Sequence, residues 1–185
     1  MFVQLRNFFL LLGAACLSMN AVAADGRFYK LQKVEDGDTL VVEFAGGAER
    51  IQLAGIDAPE DTPNPKLQRD VQRTGLSEDV LLSIGDVSTS HLKSLVSPGQ
   101  QVLLSGNLNR RDKYGRISLV VMDDQGNSLN EKMVADGYAV VLNRYPLDSI
   151  FRDQLKQRES EAIKQKRGLW GEYRETTMRW SGRGE

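Results

Sequence analysis

Three observations predict an α+β chain that is mainly β: a five-stranded barrel of the OB type with three packed helices. Five short β-rich runs are bounded by turn residues. A helically spaced run lies between the third and fourth of them. Two further helical stretches follow the fifth. That order suits a small closed sheet whose helices cover the barrel.

The elements follow in order. Residues 27–34 form the first strand and run into Asp36-Gly37, a turn signal, because glycine enters left-handed backbone space at little steric cost. Leu40-Val41-Val42-Glu43-Phe44 and Ile51-Gln52-Leu53-Ala54 are the second and third strands, joined by a hairpin turn at Ala45-Gly46-Gly47-Ala48. Ala58-Pro59-Glu60 stops the third strand, since proline lacks a ladder donor. In residues 61–87, Pro63 and Pro65 exclude regular structure at the start, and Ser77 caps a short helix over 78–84 that Gly85 ends. The segment reads as a solvated loop insertion. The sharper alternative is a substrate-contacting flap carrying Lys66, Arg69 and Arg73.

Residues 88–96 have helical spacing and stop at Pro98-Gly99. The fourth and fifth strands are 101–104 and 117–122, separated by a charged turn over 110–116. Residues 129–136 form a short helix with Asn130 as a candidate N-cap and Gly137 as its stop. Residues 149–167 form the long helix, with Ile150, Leu155, Ala162 and Ile163 near one face and Gly168 at its end. Leu169 and Trp170 fold back onto the core, and 173–185 reads as a loosely held tail.

Residues 1–24 read as a signal peptide. Arg6 is followed by an apolar run over 8–17 and by the small-residue cleavage signal Ala21-Val22-Ala23. The run is too short to span a membrane. Export to the periplasm or the medium follows, with a mature N-terminus at Ala24 or Asp25. Ala14-Ala15-Cys16 keeps open a lipid anchor at Cys16. Cys16 is the only cysteine, so the cleaved chain has no disulfide. What remains suffices for one domain with its own core, over 25–172. The full chain carries 24 Lys/Arg against 25 Asp/Glu, a balance that does not advertise a nucleic-acid binder. The balance is local, however: acids gather around the hairpin, and bases outnumber acids from Arg144 onward.

The hairpin also carries the chemistry. Returning the chain on itself brings Asp38 and Asp57 together, with Glu60 just beyond. Neighbouring carboxylates repel unless a cation or proton intervenes. An all-oxygen ligand set suits a hard cation such as calcium. Taken singly, Asp36, Asp38, Asp57 and Glu60 read as turn residues. His91, the only histidine, lies away from these segments and is assigned no role.

Four segments, Val34-Glu35-Asp36-Gly37-Asp38-Thr39, Leu53-Ala54-Gly55-Ile56-Asp57-Ala58-Pro59-Glu60, Asp112-Lys113-Tyr114-Gly115-Arg116 and Gly168-Leu169-Trp170, resemble the signature segments of the staphylococcal nuclease (thermonuclease) family. Their order and spacing agree with it over 28–172, apart from the longer 61–87 segment. The resemblance implies an OB barrel and calcium-dependent cleavage of DNA and RNA phosphodiesters. Separately, the chain is expected to be a monomer without stable membrane insertion. It implies Asp38, Asp57 and the main-chain carbonyl of Ala58 as metal ligands. Glu60 matches the residue proposed as general base, and Arg116 one of two phosphate-gripping arginines. Tyr114 and Tyr145 match aromatic residues of the nucleotide pocket. Seen as an ordered set with Arg116, the carboxylates read as a metal and phosphate site.

Two positions depart from the family pattern. Gln52 stands where the family has its other catalytic arginine, and Asn143 where a further pocket tyrosine can stand. Strand alternation puts Arg50 on the same face as Gln52, about 6.6 Å away. Arg50 is therefore the candidate replacement. The departure at Gln52 implies slow catalysis. It also supports an alternative: a weak or inactive OB module that binds nucleic acid or another ligand, with a structural envelope protein as the third reading.

Overall fold

The computed structural model describes residues 27–44 and 46–183. The expected signal peptide over 1–24, including Cys16, lies outside them. Strands β1 (Arg27–Asp36), β2 (Thr39–Phe44) and β3 (Gly47–Leu53) form an antiparallel meander. A two-residue strand, β4 (Ile56–Asp57), follows. After two helices come β5 (Gln101–Ser105) and β6 (Ile117–Met122). The barrel closes in the order β1-β2-β3-β6-β5, with β3 and β6 parallel and every other pair antiparallel. Alternating residues of these strands, including Leu40, Val42, Ile51, Leu53, Leu119 and Val121, point inward and are almost fully buried. The expected barrel is therefore present, with five α-helices among the described residues in place of three.

The first addition falls in 61–87, which is not a solvated loop. It holds helix α1 (Pro65–Thr74) and the start of α2 (Glu78–Leu95). Pro65 does not exclude structure here. It occupies the first turn of α1, where its missing N–H costs nothing. Asn64 caps that turn, its side chain accepting from the amides of Lys66 and Leu67. Ser77 does cap α2, but the helix runs unbroken through Gly85 and absorbs the expected 88–96 helix. Gly85 is a contact position. A Cβ built there would lie 2.0 Å from the carbonyl oxygen of Glu60.

Helix α3 (Leu129–Ala135) is capped by Ser128, not Asn130. Asn130 is fully buried: it accepts from the amide of Val121 and donates to the carbonyls of Ala54 and Leu119. It pins the helix to the barrel. Strand β7 (Val140–Val141) pairs with β4, holding Asp57 in place. The long helix α4 (Ser149–Gln165) leads into a 3-10 turn over Gly168–Trp170.

The tail is not loose either. Residues Arg174–Ser181 form helix α5. Trp180 is 3 % exposed and packs in a second core with Leu67, Leu81, Ile84, Leu169 and Trp170. Its indole N–H donates to Asp70 of α1 at 3.2 Å, and Arg73 donates to its carbonyl at 2.9 Å. Among the described residues, no helix is long and apolar enough to cross a membrane.

Candidate active site

The turn after β1 and the segment after β4 meet at one end of the barrel. Gly37 permits this approach, since a Cβ there would come within 2.8 Å of Ala58 Cβ and 2.9 Å of Ser88 Cβ. Asp38 is consequently 5 % exposed. Its amide is held by Asp36 Oδ1 at 3.0 Å. One carboxylate oxygen accepts from the Thr39 hydroxyl at 3.0 Å and the other from the amide of Ala58 at 3.2 Å. That last bond ties the first carboxylate turn directly to the second.

Helix α1 delivers a cation to this place. Lys66 Nζ lies 3.1 Å from Asp57 Oδ1, 2.9 Å from the carbonyl oxygen of Ala58 and 2.6 Å from Glu60 Oε1. Glu60 also accepts from the side-chain amide of Asn64 through its other oxygen. The 110–116 turn supplies the next cation. Asp112 accepts from the amides of Tyr114 and Arg116 and, at 3.0 Å, from Arg116 Nε. The guanidinium thus held reaches the Thr39 hydroxyl at 3.4 Å and lies 3.9 Å from Asp38.

These groups border a cleft of about 280 Å³, lined by Arg50, Glu60, Lys66, Arg69, Tyr114 and Arg116 among others. Arg50 faces this cleft while ion-paired to Glu35 at 2.7 Å. Gln52 lines a neighbouring cleft and accepts from Ser118 at 3.2 Å. Tyr145 lies in that second cleft too, apart from Tyr114, so the structure does not bring the two tyrosines into one pocket. Tyr114 is half exposed, with the guanidinium carbon of Arg116 at 5.5 Å from its ring centre and Arg69 at 3.4 Å from its hydroxyl. His91 pairs with Asp136 and stacks on Tyr138, which is a structural arrangement.

Of the two sequence readings of 61–87, the flap carrying Lys66 and Arg69 to the cleft is the nearer one, but the contact of Lys66 with the acids was missed. The signal for it was Asn64-Pro65, a helix-start pair that fixes the first turn of α1 and thereby aims Lys66 at the acids.

The electrostatics follow from burial. Asp38 is pushed above the ordinary carboxylate range by burial and by its neighbour Asp57. Asp57 is raised by burial, against the opposing pull of Lys66. Burial and the Asp38 charge push Asp36 up to about 7. For Lys66, burial alone would lower the ammonium, but Asp57, Glu60 and Asp38 outweigh it and hold it above its usual value. A raised carboxylate pKa has a definite sign: the folded state binds more protons than the unfolded one between about 4 and 7, so stability falls as pH rises through that window. With calcium chelated, Asp36→Asn should therefore melt higher than the wild type at pH 8 and match it near pH 4. Melting curves across that range test this. A pH-independent difference would remove Asp36 as the source.

The donor set fits a hard cation. Among the described residues no three acidic, histidine or cysteine side chains cluster tightly enough to hold a metal by themselves. The expected set is instead two carboxylates, Asp38 and Asp57, completed by the Ala58 carbonyl. The carboxylate and amide of these residues are already joined, and a single ammonium touches both Asp57 and the Ala58 oxygen. Oxygen donors of this kind are those calcium takes.

Comparison with known proteins agrees with the geometry. Residues 50–172 match the family described as "Staphylococcal nuclease homologue". An "Uncharacterized endonuclease" of Escherichia coli is 34 % identical over 143 residues, covering 77 % of this chain and 76 % of the relative. The "Thermonuclease" of Staphylococcus intermedius is 29 % identical over 147 residues, covering 78 % and 77 %. "Endonuclease YhcR" of Bacillus subtilis is 28 % identical over 153 residues, but the chain spans only 12 % of its length; for "SPbeta prophage-derived endonuclease YokF" of the same organism the span is 43 %. With its closed five-stranded barrel and with both carboxylate segments meeting at one end of it, the chain belongs to the staphylococcal nuclease homologue family.

Proposed function

We propose that the protein is a calcium-dependent nuclease that hydrolyses phosphodiester bonds of DNA or RNA, acting as an exported monomer. The observation that carries this reading is one cleft bordered by the carboxylate of Glu60 and by the guanidinium groups of Arg50, Arg69 and Arg116, with buried Asp38 and half-buried Asp57 tied to its rim through Arg116 and Lys66. The relatives named as endonucleases and thermonucleases support it. Export rests on residues 1–24, and Ala24 or Asp25 at the N-terminus of the recovered protein, read by mass spectrometry, would test it.

Asp38, Asp57 and the Ala58 carbonyl would hold the calcium ion, which when bound supplies charge neutralisation at the phosphoryl oxygen. Glu60 orients and deprotonates the attacking water. Its two oxygens are steadied by Lys66 and Asn64, so the carboxylate is held in one orientation while lone pairs remain for water. Arg116, braced by Asp112, donates to the phosphate as negative charge develops. Arg50 reaches the cleft from β3 and supplies a guanidinium that Gln52, turned to the neighbouring cleft, does not. Tyr114 offers a stacking face at the cleft edge.

A second reading keeps the fold and loses the rate: an OB module that holds nucleic acid and cuts weakly or not at all. Gln52 favours it, being uncharged and engaged with Ser118 away from the cleft. A fluorescent-oligonucleotide assay with calcium, set against the same assay with a chelator, separates the two. Calcium-dependent cutting is expected. Arg50→Ala should lower the rate about a hundredfold or more, the usual loss for one preorganised charged donor. If Arg50→Ala changes nothing and Gln52→Arg raises the rate tenfold or more, the clamp is incomplete in the natural protein. If neither wild type nor Gln52→Arg cuts, the binding module stands.

A further inference from the structure

We propose that Lys66 is an internal competitor for the cation position: its ammonium and the divalent ion use the same oxygens in turn, so Lys66 sets how much calcium the site requires. The inference rests on the calcium reading above and adds to it a residue that governs affinity.

The geometry carries it. An ammonium has three donors, and those of Lys66 are spent on Asp57, the Ala58 carbonyl and Glu60, at 3.1, 2.9 and 2.6 Å. Two of these partners are expected cation ligands and the third is the expected base. The side chain is aimed there by its backbone. Pro65 and the Asn64 cap fix the first turn of α1. Leu67, 1 % exposed, anchors the next residue, and Trp180 clasps Asp70 one turn on.

A calcium ion bonded to Asp57 and Ala58 at about 2.3–2.6 Å would lie in the space the ammonium holds. Two positive charges a few ångströms apart repel strongly where little water intervenes. One must leave, and the lysine has the flexible stem. The cleft beside it, bordered by Arg69 and Arg116, is the direction open to it. There the displaced ammonium adds positive charge where a phosphate would bind. The exchange also frees Glu60 from its cationic partner as the ion arrives.

The test is calorimetric titration of calcium chloride into the wild type, Lys66→Met and Lys66→Gln, with melting curves in chelator. Removing the competitor should tighten calcium binding at least tenfold in both variants. Both should melt below the wild type without calcium, because the acids lose their cation, and both should gain more on adding it. Lys66→Gln keeps an amide donor, so it remains folded if Lys66→Met does not. If the wild type binds calcium and both variants bind it equally or more weakly, the inference is overturned while the calcium site stands; Lys66 would then position the ligands. If no protein binds calcium, the calcium reading fails and this inference fails with it. An unchanged melting temperature in chelator would also overturn it, since the ammonium would not be among the acids.

Discussion

Glu60→Gln should lower turnover about a hundred- to ten-thousandfold, the range set by loss of a positioned general base. The change preserves size and one of the two accepted bonds, from Lys66 or from Asn64, while removing the charge that accepts a proton. Its effect on folding should be small. The mutation weakens the contact with Lys66 but also removes one of the charges crowding Asp38, Asp57 and Asp36. These effects oppose one another, and the melting temperature should stay within a few degrees. Single-turnover cleavage and a thermal melt on the same preparation decide it. An unchanged rate would remove Glu60 from the chemistry, and a large loss of stability would mark it as a structural residue instead.

Gly85→Ala should be strongly destabilising although it lies inside a helix. Propensity alone favours alanine there by about 1 kcal/mol. Packing decides the other way. The new Cβ would meet the carbonyl oxygen of Glu60 at 2.0 Å, its carbon at 2.3 Å and the amide nitrogen of Asp61 at 2.7 Å. All three are backbone atoms, so no rotamer change relieves the clash. Overpacking of this kind costs typically about 1–3 kcal/mol, and more where backbone must move. The movement would displace Glu60, and misplacement of a catalytic group by about 1 Å can cost a hundredfold in rate. Denaturant melts and cleavage rates are both expected to fall. An alanine variant more stable than the wild type would mean that α2 does not press on the 60–61 backbone.

The barrel was legible because its information is local. Each strand is a short β-rich run with apolar residues facing the core, and the turns carry glycine or carboxylates. The carboxylate pair was legible for the same reason, since a hairpin of known length fixes where its ends meet. What was hidden depends on distant partners. Trp180 reads as a tail residue until Asp70 and Leu67 are seen beneath it. Gly85 reads as a helix stop until the Glu60 carbonyl is placed against it. Asn130 reads as a cap, yet its side chain serves main-chain groups of Ala54, Leu119 and Val121. Lys66 reads as part of a proline-rich segment that is either a solvated loop or a substrate-contacting flap. Its role depends on a helix start that the prolines seemed to forbid and that Pro65 in fact begins.

The clasp of α5 on α1 also bears on the timing of synthesis. Chains emerge from the ribosome N-terminus first, and domains fold as their residues become available. Asp38, Asp57, Glu60 and Arg116 all emerge well before Trp180. Until that tryptophan arrives, α1 rests on α2 through Leu67 but lacks the partner of Asp70 and the anchor for Arg73. Residues made late thus brace a site whose acids are made much earlier. A nascent chain would hold the acids and not yet their supports, and a fusion or truncation close to residue 180 would hold the protein in that unfinished condition.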